Sequence, residues 1–224
     1  MNSREIDRLG IDRVMQRGRG EIVAEPEGAL LVRDRISGAL MLACDDRRVG
    51  KTLLDRYVDS ACDLLMVADH ALGMASFEQC GFSDKLECYQ VVYCGDMPVG
   101  DDRLTYRVAE ESDLPMLTAT YRFISAEEIA ELVKMRTILL GYDRDQLVGF
   151  VGEHLEGSMG LLHVFPEYRR QGYGSALQKE YMIRTMKLGF VPFGQVEKNN
   201  AASLCLQKKL GLQLSDNLIV WMWR

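Results

Sequence analysis

The sequence predicts a fold of the α+β class, with strands and helices interleaved along 224 residues. Three observations predict it. Short apolar runs bounded by Gly, Pro and Asp clusters read as strands. Apolar stripes at helical spacing lie between them. The order of elements in the first hundred residues also returns in the second half.

Taken in order, residues 28–32 and 39–43 flank Arg35-Ile36-Ser37-Gly38 and read as two strands joined by a turn. Residues 48–58 read as a helix, 63–68 as a buried strand, 71–80 as a helix closed by Gly81, and 86–93 as a strand. Residues 94–102 are rich in Gly, Pro and Asp, as a linker is, and set a boundary between domains 1–100 and 101–224. Beyond it, Ser125-Ala126-Glu127-Glu128 predicts a capping box for a short helix with Ile129, Leu132 and Val133 inside. Residues 158–164 read as a strand, and Tyr173, Leu177, Tyr181 and Leu188 share one helical stripe. A strand at 190–196, a helix ending at Gly211 and a strand at 218–223 complete the chain. Residues 77–82 parallel 206–212, and 88–93 parallel 218–223, which reads as an internal repeat. The final Trp221-Met222-Trp223 is expected to alternate between core and solvent, and exposed rings there would make a homodimer contact.

Composition narrows the function. With 47 % hydrophobic and 27 % charged residues the chain is ordinarily globular. No apolar run approaches the ~18 residues that span a bilayer. The first residues lack an apolar signal core, so a cytoplasmic location and no membrane partner are expected. A formal charge of -6 without a basic patch argues against nucleic acid and accords with ordinary solubility. Six cysteines form no C-x-x-C pair and are expected to be reduced, buried and structural. Three scattered histidines give no zinc-ligand spacing, and no metal is expected.

The stretch that carries chemistry is residues 164–177, Val-Phe-Pro-Glu-Tyr-Arg-Arg-Gln-Gly-Tyr-Gly-Ser-Ala-Leu. A strand runs into an R-x-x-G-x-G loop that opens a helix. Glycines at 172 and 174 remove Cβ atoms that would hold a ligand off the backbone, and the first helical N–H groups then point at it with the positive end of the dipole behind them. Such a loop fits a diphosphate. Residues 46–52 of the first half keep two arginines and one glycine but add Asp45 and Asp46, whose charge repels phosphate, so this copy is expected to hold no cofactor. Gly50-Lys51-Thr52 is no P-loop, because Asp45 stands where that motif needs glycine.

With that motif in place, the segment from residue 103 to 224 resembles the GNAT superfamily of acyl-CoA-dependent N-acyltransferases. Residues 104–113 look like the family's first strand and helix cap, the cofactor motif follows, and residues 200–212 look like the helix after its fifth strand. The run from Phe193 to Gly211 is similar to the glycine N-acyltransferase-like subgroup. The resemblance implies a central mixed sheet flanked by helices, with residues 1–100 as a degenerate half-domain of the same kind. It also implies attack of an amine on the thioester of acetyl-CoA, through a tetrahedral intermediate, with CoA thiolate leaving. The acceptor would be the primary amine of a small molecule or amino acid.

Four tasks then fall to named residues. The pyrophosphate would be held by backbone N–H groups of Arg170, Gln171, Gly172, Tyr173, Gly174 and Ser175, with Arg169 and Arg170 adding charge. The thioester carbonyl would be polarised by the Val164 N–H, beside Leu162 and His163, where Pro166 ends the strand. The ammonium would lose its proton to Glu153, His154 or Glu156, with Glu156, acting through water, the first choice among the three, while the ordinary place of each acidic residue there is a solvated turn. The thiolate's usual tyrosine is replaced by Gln207, and Asn200 could orient a water or the pantetheine arm, or cap its helix. A second function class stays open at this point, a non-enzymatic acyl-CoA-binding regulatory module.

Overall fold

The computed structural model describes residues 1–224. The chain forms two compact units, one of Met1–Val92, Gln195–Lys208 and Leu212–Arg224, the other of Tyr93–Gly194 and Lys209–Gly211. The first changeover, at Tyr93, lies close to the expected linker. The return after Gly194 has no counterpart in a single boundary at residue 100.

The first unit opens with α1 (Ser3–Asp7), α2 (Leu9–Gln16) and β1 (Gly20–Ala24), none of which stood out from the sequence. It continues with β2 (Ala29–Asp34), β3 (Leu40–Cys44), α3 (Arg47–Tyr57), β4 (Leu64–Val67), α4 (His70–Cys80) and β5 (Asp84–Val92). These match the expected order within a few residues at each end, and Gly81 closes α4 in the left-handed region. The second unit holds β6 (Thr105–Val108), α5 (Leu114–Thr120), α6 (Ala126–Lys134), β7 (Leu139–Asp143), β8 (Gln146–Glu153), β9 (Met159–Val164) and α7 (Tyr173–Lys187). β10 (Phe193–Glu197) starts in the second unit and ends in the first, followed by α8 (Ala201–Lys209) and β11 (Gln213–Trp223).

In the first unit β11 lies between β4 and β5, antiparallel to both, through Val220↔Val67 and Ile219↔Cys88. Period-two alternation sorts the side chains to two faces. Leu31, Leu42, Leu65, Val67, Val220 and Met222 form one apolar cluster with Leu53, Leu54 and Leu72 of α3 and α4. Val32, Met41, Met66, Ile219 and Trp221 form the other with Ile11 and Val14 of α2. A strand covered on both faces cannot alternate between core and water. Trp221 is therefore buried and donates its indole N–H to Gln195 Oε1 at 2.7 Å, Met222 is fully buried, and only Trp223 is partly exposed. This corrects the expected alternation, with Trp223 the one residue of the three left exposed.

The second unit is an antiparallel ladder, β6-β7-β8-β9, with β10 parallel to β9 through Gly194↔Met159. Its core joins Leu117, Ile129, Leu132, Val133, Leu140, Phe150 and Leu161. Ser125 caps α6 by accepting from the Glu128 N–H at 3.1 Å. The reciprocal half of the expected capping box is not made, and Glu128 serves elsewhere. Because Ser125 satisfies an otherwise orphaned helix donor, Ser125→Ala should lower stability by about 1 kcal/mol in urea unfolding.

All six cysteines are free thiols. Cys62 and Cys88 are buried, but Cys94 and Cys205 are exposed, contrary to the expectation for the set. No helix is long and apolar enough to cross a membrane.

Candidate functional site

β9 delivers the loop. Phe165 N–H still reaches the Val148 carbonyl at 3.0 Å, and Pro166 then opens a 3-10 turn over Pro166–Tyr168. Proline has no N–H for a ladder, so the strand stops where the sequence reading placed its end. Arg169 returns to extended backbone, Arg170 takes φ 65°, and Gly172 takes φ 90° at the N-cap of α7. A chain that turns through the left-handed region twice in three residues presents successive N–H groups to one side, as anion nests do.

No side chain caps α7. Its first main-chain bond, Ala176 N–H to the Gly172 carbonyl at 3.1 Å, leaves the Tyr173, Gly174 and Ser175 N–H groups without helical acceptors. The corresponding end of α3 is closed, since the Asp46 carboxylate accepts from the Arg48 N–H at 2.8 Å. One helix start offers donors to an anion, and the other spends them on its own aspartate.

The loop is braced from both sides. Arg169 Nε donates to the Val164 carbonyl at 2.9 Å and ties the loop to the strand end. Gln171 Nε2 donates to the Glu167 carbonyl at 3.1 Å. Arg103, which the sequence reading passed over, donates to the Gln171 carbonyl at 3.2 Å, pairs with Asp101 at 2.6 Å and lies over the Tyr173 ring. Asp101 in turn holds the Arg103 guanidinium firmly charged. The Tyr173 hydroxyl donates to Asp143, and this bond is the main cause of its raised pKa, ahead of burial. Arg170 is exposed at the tip of the loop.

β9 itself is irregular where Leu162, His163 and Val164 were singled out. Phe150 pairs with His163 and Gly152 with Gly160, so Leu161 and Leu162 together oppose Val151. Leu161 sits at φ 50°. This is a β-bulge, which leaves one residue outside the ladder and redirects its amide. Within this unit β10 meets β9 at Gly194↔Met159, next to the bulge. His163 stacks on Phe150 at 5.4 Å and meets Phe165 edge-on at 5.3 Å. Burial, then Arg169, lowers its pKa, so at neutral pH it is an uncharged ring in an aromatic row.

The proposed bases form a second cluster in the same unit. Glu153 and Glu156 are 3 % and 6 % exposed, so neither is a solvated turn residue. The Ser158 hydroxyl donates to Glu156 Oε1, while His154 N–H binds the Ser158 carbonyl at 2.9 Å and Gly157 N–H binds the His154 carbonyl at 2.8 Å. Glu128 Oε1 stands 4.0 Å from His154 Nδ1. Burial raises the Glu156 pKa against the opposing pull of His154 and Ser158. Burial alone would lower that of His154, but Glu128, Glu156 and Glu153 together hold it above its ordinary value. Tyr121, half-buried beside the Leu161 backbone, is pushed up to about 12, mainly by desolvation, and is a neutral phenol at any physiological pH.

Asn200 belongs to the other compact unit and caps α8, its Oδ1 accepting from the Ser203 N–H at 3.0 Å. Gln207 is buried on the same helix. The structure therefore gathers Leu162, His163, Val164, Glu156 and residues 169–175 in one unit. Arg103, Tyr121, Glu128 and Ser158 are additions to the set. Of these, the Asp101-x-Arg103 spacing is a visible local ion-pair signal, whereas the positive φ at Leu161 has no signature in its residue type.

Comparison with known proteins agrees with this architecture. Residues 138–222 match the family described as FR47-like protein. No protein of curated function matches the sequence. A Drosophila protein of solved structure superimposes with a TM-score of 0.66 at 12 % identity, over 100 % of this chain and 97 % of its own. A GNAT-family protein from Novosphingobium aromaticivorans gives 0.60 at 18 %, over 96 % of both chains. A GCN5-related N-acetyltransferase from Kribbella flavida gives 0.59 at 13 %, over 100 % of this chain and 96 % of its own. The chain has the fold these proteins share, a mixed sheet flanked by helices.

Proposed function

We propose that this protein is an N-acetyltransferase that moves the acetyl group of acetyl-CoA to a primary amine of a small molecule or amino acid. The observation that carries the reading is the uncapped start of α7, directly after the bulged strand, with Gly172 in the left-handed region. Three orphan amides and a helix dipole fit a diphosphate. The likeness of residues 193–211 to glycine N-acyltransferase-like proteins supports a small amino-bearing acceptor. In this reading residues 1–100 are a related half whose own helix start is closed by Asp46.

When bound, acetyl-CoA would supply an acyl thioester, whose carbonyl carbon gains the C–N bond before the C–S bond breaks and the CoA thiolate leaves. The Tyr173, Gly174 and Ser175 amides hold the diphosphate, Arg170 adds charge, and Arg169 and Arg103 keep the loop in place. Backbone N–H groups between Leu162 and Val164 stabilise the negative charge that develops on the carbonyl oxygen. Glu156 accepts the ammonium proton through a water, with Ser158 and His154 fixing its orientation. Tyr121, a neutral donor beside the bulge, can return a proton to the departing sulfur.

Release of free thiol from acetyl-CoA in the presence of a panel of small primary amines tests the proposal. Amine-dependent release is the expected result. Saturable acetyl-CoA binding with no release for any amine would overturn the enzymatic reading and leave a binding module.

A further inference from the structure

Phe123 lies on the surface of the second unit, 87 % exposed, in the loop that joins α5 to α6. Its chain neighbours are engaged elsewhere. Tyr121 and Ile124 pack against the core of this unit, and Arg122 turns back to the Ala119 carbonyl at 3.4 Å. A single exposed apolar side chain is common and by itself means little. What sets Phe123 apart is the row of rings behind it. Its ring meets Tyr121 edge-on at 5.3 Å, Tyr121 meets Phe150 at 6.2 Å, and Phe150 stacks on His163, which meets Phe165. The row is fully buried in its middle, at Phe150, and opens to solvent at Phe123.

This row passes the centre assigned above to acetyl transfer. The Tyr121 hydroxyl lies at the Leu161 main chain, on the bulge. Glu128, in the first turn of α6, is close enough to act on Tyr121 by its charge and stands 4.0 Å from His154 of the base cluster. The Glu128 side chain is itself partly open to solvent. One ring, that of Tyr121, therefore separates the bulge and the carboxylates from the uncovered ring of Phe123.

Resting on the acetyl-transfer reading, we propose that the acceptor is an aromatic amine, a primary ammonium joined by a short chain to an aryl ring, and that Phe123 with Tyr121 binds that ring. The carboxylates of Glu128 and Glu156 suit the ammonium, and the open end of the row suits the ring, so charge and apolar surface are matched at the two ends of one small molecule. Aromatic pairs favour edge-on or offset contact, worth about two- to tenfold in affinity beyond the area buried. Phe123 touches the substrate away from the reacting atoms, and so it sets specificity.

The test runs on the full chain in two arms. Thiol release from acetyl-CoA is compared for phenethylamine and cyclohexylethylamine, which carry the same amine on an aromatic and a saturated ring. A kcat/KM ratio of about fivefold or more in favour of phenethylamine is expected, and Phe123→Ala should bring it toward one. Val99→Ala, which removes an equally exposed apolar side chain outside the row, should leave the ratio unchanged. The second arm needs no turnover. Amide resonances of the nitrogen-15-labelled chain are followed during titration with each amine, and saturable shifts at Tyr121, Phe123 and Glu128 are expected from phenethylamine, weakened about fivefold in Phe123→Ala. Equal kcat/KM for the two amines, or a preference that survives in Phe123→Ala, would overturn the inference and leave acetyl transfer standing. Shifts at Phe123 without thiol release from any amine would sink acetyl transfer and support the aromatic-amine site alone. Neither shifts nor release would remove both.

Discussion

Replacing Gly172 by glutamate should abolish measurable binding of acetyl-CoA in a calorimetric titration, an expected loss of at least about 100-fold relative to the unmodified chain. Two effects combine. Gly172 stands at φ 90°, where a side chain is strained at a cost of about 1–3 kcal/mol, and a Cβ there would lie 3.2 Å from the Arg103 guanidinium that braces the loop. The new carboxylate also sits beside the Tyr173, Gly174 and Ser175 amides, where it competes with a diphosphate and repels it. Since each 1.4 kcal/mol is tenfold in affinity, strain and repulsion together suffice for the stated loss. Gly172→Ala separates them, because it keeps the strain without the charge and should bind with intermediate affinity. If Gly172→Glu bound as tightly as the parent chain, the helix start would not be the diphosphate site.

Glu156→Gln should lower amine-dependent thiol release by about 100-fold or more while leaving acetyl-CoA affinity unchanged, because general bases contribute roughly 10²–10⁴-fold and this one lies outside the α7 loop. The pH profile gives the sharper reading. Burial holds the Glu156 pKa above its ordinary 4.5, so activity in the parent should rise with pH through a group that titrates above the usual carboxylate range. His154 and Glu128 couple to it, so the limb reports the cluster and not one residue. The glutamine variant should lose that limb. Stability separates this effect from unfolding. A raised folded-state pKa contributes stability that is fully present below the unfolded pKa and is lost as pH rises through the folded one. Removing the charge at neutral pH should therefore keep or raise stability, and a variant that lost both rate and stability would point to a structural role for Glu156.

Much of this site could be read from the residues. The R-x-x-G-x-G loop is legible because its chemistry is main-chain chemistry, and proline at 166 and glycines at 172 and 174 mark where the main chain must turn or lie open. The succession of strands and helices from residue 28 to 93 was legible for a similar reason, since Gly81 and the Asp clusters punctuate it. What escaped is whatever depends on the partner of a residue. Nothing at Trp221-Met222-Trp223 says that β11 is flanked on both sides, and burial of the final strand follows from a pairing more than a hundred residues away in sequence. Glu156 was named as a base but expected in a solvated turn. It is buried instead, with the Ser158 hydroxyl on its carboxylate and His154 near it, an outcome that three-dimensional packing decides and spacing does not. Leu161 is the extreme case, an ordinary apolar residue forced through the left-handed region by the register of its neighbours.

The open start of α7 has one further meaning. A helix whose first turn lacks a cap is an unfinished piece of structure, and in this chain the missing part would be supplied from solution. A ligand bound there would act as a removable building block of the fold. Ligand present at a hundred times its dissociation constant adds about 2.7 kcal/mol to folding. On the proposed function, the lifetime of the native chain would then be tied to the local abundance of acetyl-CoA.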